Sequence, residues 1–162
     1  MNTERQVLIA EVGTAVQAYQ RATDGFDDAV GRLLGLNPTD LRCLDWLTSG
    51  PMTAGELAKA TGLSSAATTT LIDRLEDKGY VARERDGIDR RKVEIRLTSE
   101  AETRLEELYG PLATEGGRLL EPFSVDKLAK VHTFLEQATS LVEQHEHHVR
   151  SRQSDSTKRQ RV

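Results

Sequence analysis

Cysteine is almost missing from this 162-residue sequence. Cys43 stands alone, so no disulfide can close within the chain, and a reducing, cytoplasmic setting is the simpler expectation. Long apolar runs are missing too: nothing approaches the roughly 18 consecutive apolar residues that would span a bilayer. The amino-terminal MNTERQVLIAEVG sets Glu4 and Arg5 before a broken apolar pattern, unlike the basic head and continuous apolar core of a secretory signal. The expectation is a soluble intracellular protein with no membrane partner. No nucleophile elbow, His-Glu-x-x-His helix, P-loop or dinucleotide fingerprint occurs, so neither catalysis nor a cofactor is expected. HEHH brings His145, His147 and His148 together, but only His145 and His148 share a helix face, with no cysteine or tight carboxylate cluster beside them. No metal site is expected there.

Positive charge is scarce overall but unevenly spread. The formal net charge is −4 and the isoelectric point about 5.6, yet residues 59–96 and 149–162 are net basic in an otherwise acidic chain. DGIDRRKVEIRLT, residues 86–98, packs Arg90, Arg91, Lys92 and Arg96 into thirteen positions. Binding to a polyanion responds to the local potential of the contacting face, so overall acidity excludes nothing. With 18.0 kDa, 37% hydrophobic and 30% charged residues, the chain fits one domain, or a compact module with helices that need a partner.

Hydrophobic spacing supplies the organisation. Leu8, Val12, Ala15 and Tyr19 step along one stripe of a helix over 3–23, and a short helical stretch from Phe26 to Leu34 ends at Gly35. In NPTDLRCLDWL, Asn37 can cap a helix that has Pro38 at its first position and Asp40 near its positive end. TAGELAKA and SSAATTTLIDRLEDKG then read as two helices across a tight turn, the second capped by Ser64 and ended by Gly79. Ala67, Thr68, Leu71, Ile72 and Leu75 fall on the second helix's inner face; Ala66, Thr69, Thr70 and Asp73, with Ser65 beside them, fall outside. After Gly79 the period becomes two: YVARER and VEIRL read as a hairpin joined by 86–92. Thr98 or Ser99 restarts a helix, Ser99 with Glu102 able to form a capping box, and Gly110-Pro111 and Gly116-Gly117 should kink or interrupt that helix. The last helix starts at Ser124, and its near-heptad seam of Leu128, Val131, Leu135, Ala138 and Val142 wants another helix. From Arg150 the periodicity stops, and a disordered basic tail is expected.

Helix, tight turn, helix and charged hairpin is the order of a winged helix-turn-helix. The second helix suits the major groove, with its hydroxyls and methyls against base edges, while the hairpin tip reaches a neighbouring minor groove that attracts arginine. Ser64, Ser65, Ala66, Thr68, Thr69 and Thr70 are the candidate helix contacts, Arg74 the main phosphate candidate of that helix, and Arg90 and Lys92 phosphate neighbours on the wing. The expected fold is mainly α with a small β-hairpin wing. It divides into N-terminal dimerisation helices (1–35), the winged helix (36–98), C-terminal dimerisation helices (99–149) and the tail (150–162). The rival reading is a winged-helix module that binds a protein partner without specific DNA binding.

From LNPTDLRCL through MTAGELAKATGLSSAATTTLIDRLEDKGYVAR to DRRKVEIRLT, the sequence resembles the MarR family of winged-helix transcriptional regulators. The most specific element is Asp89-Arg90-Arg91 followed by an alternating strand ending in Leu97-Thr98. The resemblance implies that Arg91 enters the minor groove and that Asp89 holds its guanidinium. Two departures stand out: Ala101 replaces a frequent glycine, and Thr70 stands where many relatives have a basic residue, which shifts specificity toward shape readout by the wing. The resemblance also implies a homodimer, here through Leu8, Val12 and the seam of the last helix, on a pseudo-palindromic site of double-stranded DNA. It implies repression released by a small aromatic or phenolic effector, in a pocket that Tyr19, Phe26, Trp46 and Tyr109 could line.

Overall fold

The computed structural model describes residues 3–85 and 92–159, with side chains described as far as Val149 except that of His147. Its elements run α1 (Thr3–Leu34), α2 (Pro38–Thr48), β1 (Met52–Thr53), α3 (Ala54–Thr61), α4 (Ser65–Asp77), β2 (Val81–Arg85), β3 (Val93–Leu97), α5 (Ser99–Leu120) and α6 (Val125–Arg159). The expected fold class, mainly helical with a small antiparallel wing, is what the structure has. The chain divides into two compact units, one reaching Pro111 and the other starting at Leu112.

Local chemistry sets the helix ends of the first unit. Asn37 Oδ1 accepts from the Asp40 amide at 2.9 Å and Asp40 Oδ2 accepts from the Asn37 amide at 3.2 Å, a reciprocal capping box behind Pro38. The α1–α2 corner is tight because Gly31 lacks a side chain. A Cβ there would come within 2.9 Å of the Leu36 carbonyl oxygen. The three strands order as β1-β3-β2, all antiparallel, with Val81 opposite Leu97 and Arg85 opposite Val93. Alternation along β3 buries Ile95 and Leu97, but Val93 at the strand's start is exposed.

Those two side chains close a core with Cys43, Leu44 and Leu47 from α2, Leu57 from α3, Leu71, Ile72 and Leu75 from α4, and Ala101 and Leu105 from α5. A fully buried leucine in such a core contributes about 1.5–3 kcal/mol. The second unit is different in kind: none of its described residues is buried.

Several expectations need correction. α1 runs unbroken through Asp24 and Gly25, where two helices were expected; an interior glycine costs only about 1 kcal/mol and the apolar stripe carries the helix across it. α5 likewise continues through Pro111. Of the two starts expected for α5, Thr98 is the N-cap, its Oγ1 accepting from the Ala101 amide at 3.1 Å, and Ser99 is the first helical residue. Ala67 is exposed, on the border of the inner face of α4. α6 extends to Arg159, beyond the expected end at 149, since no glycine or proline follows Pro122 and Arg, Gln and Lys are good helix formers.

Candidate nucleic-acid interface

The α3–turn–α4 segment is held by caps at each end. Thr53 and Glu56 form a capping box on α3, Glu56 Oε2 accepting from the Thr53 amide at 2.7 Å and its hydroxyl at 2.8 Å. These bonds hold the Glu56 carboxyl below its ordinary value, with Lys92 and Lys59 adding to the effect. Ser64 caps α4, its Oγ accepting from the Ala67 amide at 3.3 Å. Gly79, at φ 76°, lets the chain turn sharply from α4 into β2.

Ser64, Ser65, Ala66, Thr69 and Thr70 are all exposed at the N-terminal half of α4, as a groove-facing surface requires. Thr68 is not among them. It is fully buried and its hydroxyl donates to the Ser64 carbonyl at 3.0 Å, so it belongs to the core, where the hundred-degree rule also puts it. Arg74 is held differently from expectation: Nε and Nη2 donate to Oδ1 of Asp40 at 3.2 and 2.5 Å. Asp40 is 1% exposed. Its one carboxylate thus caps α2 through one oxygen and anchors α4 through the other. Arg74 keeps part of its side chain in solvent, but its guanidinium is engaged in locking the helix pair.

A second set of bonds fixes the wing strands. Arg83 of β2 donates to Asp73 at 2.5 Å and to Glu76, both on α4, and these carboxylates raise its pKa further. Across the hairpin, Arg96 pairs with Glu84 at 3.1 Å. The Thr98 hydroxyl donates to the Gly79 carbonyl at 2.7 Å, so the Leu97-Thr98 pair buries one side chain and with the other ties the exit of α4 to the start of α5. Asp89, Arg90 and Arg91 lie outside the described residues. Lys92 is exposed at the foot of β3. Asp40, Arg83 and Thr98 were missed as positioning residues: capping patterns reveal local bonds, while Asp40 and Arg74 lie 34 positions apart.

Beneath this lobe, α1, α2 and the start of α5 enclose an open cleft of about 1100 Å³. Tyr109 lines it; its hydroxyl donates to Asp27 at 2.9 Å, and burial together with that carboxylate pushes its pKa up. Phe26 stands edge-on to the Tyr109 ring, centroids 5.3 Å apart, without joining the lining. Tyr19 and Trp46 are exposed and also lie outside it. The ionisable lining is dominated by carboxylates, among them Asp24, Asp28, Asp45 and Glu106, against Arg32 and Arg42.

Comparison with known proteins agrees with this architecture. The sequence signature of the MarR family matches residues 34–92. Over 135 residues the chain is 41% identical to the HTH-type transcriptional regulator YcgE of Bacillus subtilis strain 168, itself uncharacterised, covering 81% of this chain and 88% of that one. A MarR family protein from Bacillus stearothermophilus has a similar structure, with a TM-score of 0.62 and 27% identity over 88% of this chain and 99% of that one. A point mutant of MepR from a multidrug-resistant clinical isolate of S. aureus shares the fold, with a TM-score of 0.65 at 17% identity over 81% of this chain and 96% of that one. MarR family regulators are not enzymes; they bind DNA and act as dimers.

Proposed function

Because the chain belongs to the MarR family of DNA-binding transcriptional regulators, we propose that it acts in the cytoplasm as a homodimeric, effector-released repressor on a pseudo-palindromic operator. The observation that carries this reading is the braced winged helix, in which the exposed small-residue face of α4 is fixed by Asp40 from one side and Arg83 from the other. In this reading α4 enters the major groove while Arg91, oriented by Asp89, probes the adjacent minor groove, with Arg90 and Lys92 on phosphates.

Dimerisation is supported by apolar surface that lacks a cover. Leu8 is 59% and Val12 43% exposed on α1, and Leu135 is 55% and Val142 60% exposed on α6. Leu128, Val131 and Ala138 are half-buried on the same seam. A second copy is the occupant that fits, because the family acts as dimers and a two-fold pair would place two recognition helices about 34–36 Å apart, one DNA turn. A dimer on promoter DNA represses by excluding polymerase.

The cleft is the candidate effector pocket. Its carboxylate-rich lining favours a neutral phenol or an aromatic cation over an aromatic acid. Pro38 and Leu41 line it on either side of Asp40, so a ligand that displaces α2 would also displace the anchor of Arg74.

Affinity for genomic fragments measured against salt tests the reading. A steep fall of log affinity with log salt, reflecting several neutralised phosphates, is expected. Arg91→Ala should weaken specific binding by roughly 1–3 kcal/mol with the dimer intact. Failure to bind any fragment at low salt would instead favour a module that binds a protein partner.

A further inference from the structure

The recognition helix has an unusual hydrogen-bonding inventory, and it bears on which bases it can read. Ala66, Thr69, Thr70 and Asp73 occupy an arc of about 100° on the exposed side of α4. A threonine has a single hydroxyl hydrogen. That of Thr69 goes to the Ser65 carbonyl at 3.0 Å and that of Thr70 to the Ala66 carbonyl at 3.1 Å. Asp73 offers only acceptors and is already paired with Arg83. The two cations at the far end of the helix lie outside that arc and are engaged elsewhere, Arg74 with Asp40 and Lys78, through Nζ, with the Gly35 carbonyl at 2.5 Å. Ser64 and Ser65 retain hydroxyls at the positive helix end, where a phosphate is the fitting partner.

The central arc therefore presents methyl groups and hydrogen-bond acceptors, and no free donor. Guanine shows the major groove two acceptors, N7 and O6, and needs donors facing it. Thymine shows a 5-methyl group and its partner adenine an N6 donor, which match methyls and acceptors. Resting on the DNA-binding reading above, we propose that α4 selects A·T pairs through apolar contact between the methyls of Ala66, Thr69 and Thr70 and thymine 5-methyl groups. Threonine at position 70 is thus a positive determinant of sequence, adding base readout to what the wing reads by shape.

The test is to select sites for the full-length protein from a random duplex pool and then replace each thymine of the preferred site, one at a time, with deoxyuridine. That change removes only the major-groove methyl, so wing contacts in the minor groove keep their chemistry. Two or more positions per half-site should lose about fourfold in affinity each, the worth of one buried methyl. A 5-methylcytosine·guanine pair at those positions should bind more tightly than cytosine·guanine. The Thr69→Ser/Thr70→Ser variant, which keeps both hydroxyls and the Ala66 methyl, should lose the thymine-over-uracil preference at one or more positions of each half-site while remaining folded and dimeric. Equal affinity for thymine and deoxyuridine sites, with tight duplex binding retained, would overturn this inference alone; absence of duplex binding would overturn the DNA-binding reading with it.

Discussion

The winged helix and the terminal helices are held in opposite ways. Within residues 36–105 leucines from four helices and alternate residues of a strand share one core, and every helix start there carries an identifiable cap. From Leu112 onward no described residue is buried, and the 35-residue α6 presents apolar side chains such as Phe134, Leu141 and Val149 to solvent. The first region has a core of its own. The second has its apolar spacing without the packing that such spacing exists to produce, since helices owe most of their stability to tertiary contacts. The contrast separates a DNA-binding module from a surface that, in the proposed dimer, a second copy would complete.

The contrast is broken most severely by charging the seam. Leu135→Asp with Val142→Asp acts twice in a symmetric dimer and should cost roughly 4 kcal/mol or more of association free energy. Sedimentation should show monomers whose winged helix keeps its native unfolding transition. Leu75→Ala does the reverse: Leu75 is 0% exposed, and its truncation should remove about 2–5 kcal/mol of stability, read as a lowered urea midpoint. Asp40→Asn should cost roughly 1–3 kcal/mol, because the charge-assisted bonds to Arg74 weaken and its packing against α2 loosens. Its DNA affinity should fall with it, since α4 loses an anchor.

Cys43 gives the smallest effect and the finest discrimination. Burial, with Asp40 adding, pushes its thiol from the ordinary 9.0 up to about 11. A raised folded-state pKa means that this contribution to stability is fully present below 9.0 and is lost as pH rises toward 11. Alkylation by iodoacetamide at pH 8 should accordingly be slow in the native protein and become fast in urea. Rapid native labelling would mean that the α2 core opens readily.

Much of the winged helix was legible because its determinants are local. Asn37, Pro38 and Asp40 announce the start of α2 within four residues, Ser64 announces that of α4, and the alternation of Val93, Ile95 and Leu97 marks β3. What remained hidden depends on distant pairing. β1 is two residues long and exists only through its bonds to β3. The commitment of Arg74 depends on a carboxylate in another helix, so by sequence it read as a free phosphate contact, and that of Arg83 depends on two carboxylates of α4 that no local pattern reveals. Thr68 fits both the inner face and the contact set by sequence; burial decides for the former.

The most direct test of the central claim is the stoichiometry and salt dependence of the full-length protein on a selected operator, compared with one half-site of the same sequence. Two chains should bind the full site, with affinity falling steeply as salt rises and the half-site far weaker. One chain per site with equal affinity for both duplexes, or no binding at low salt, would contradict the account.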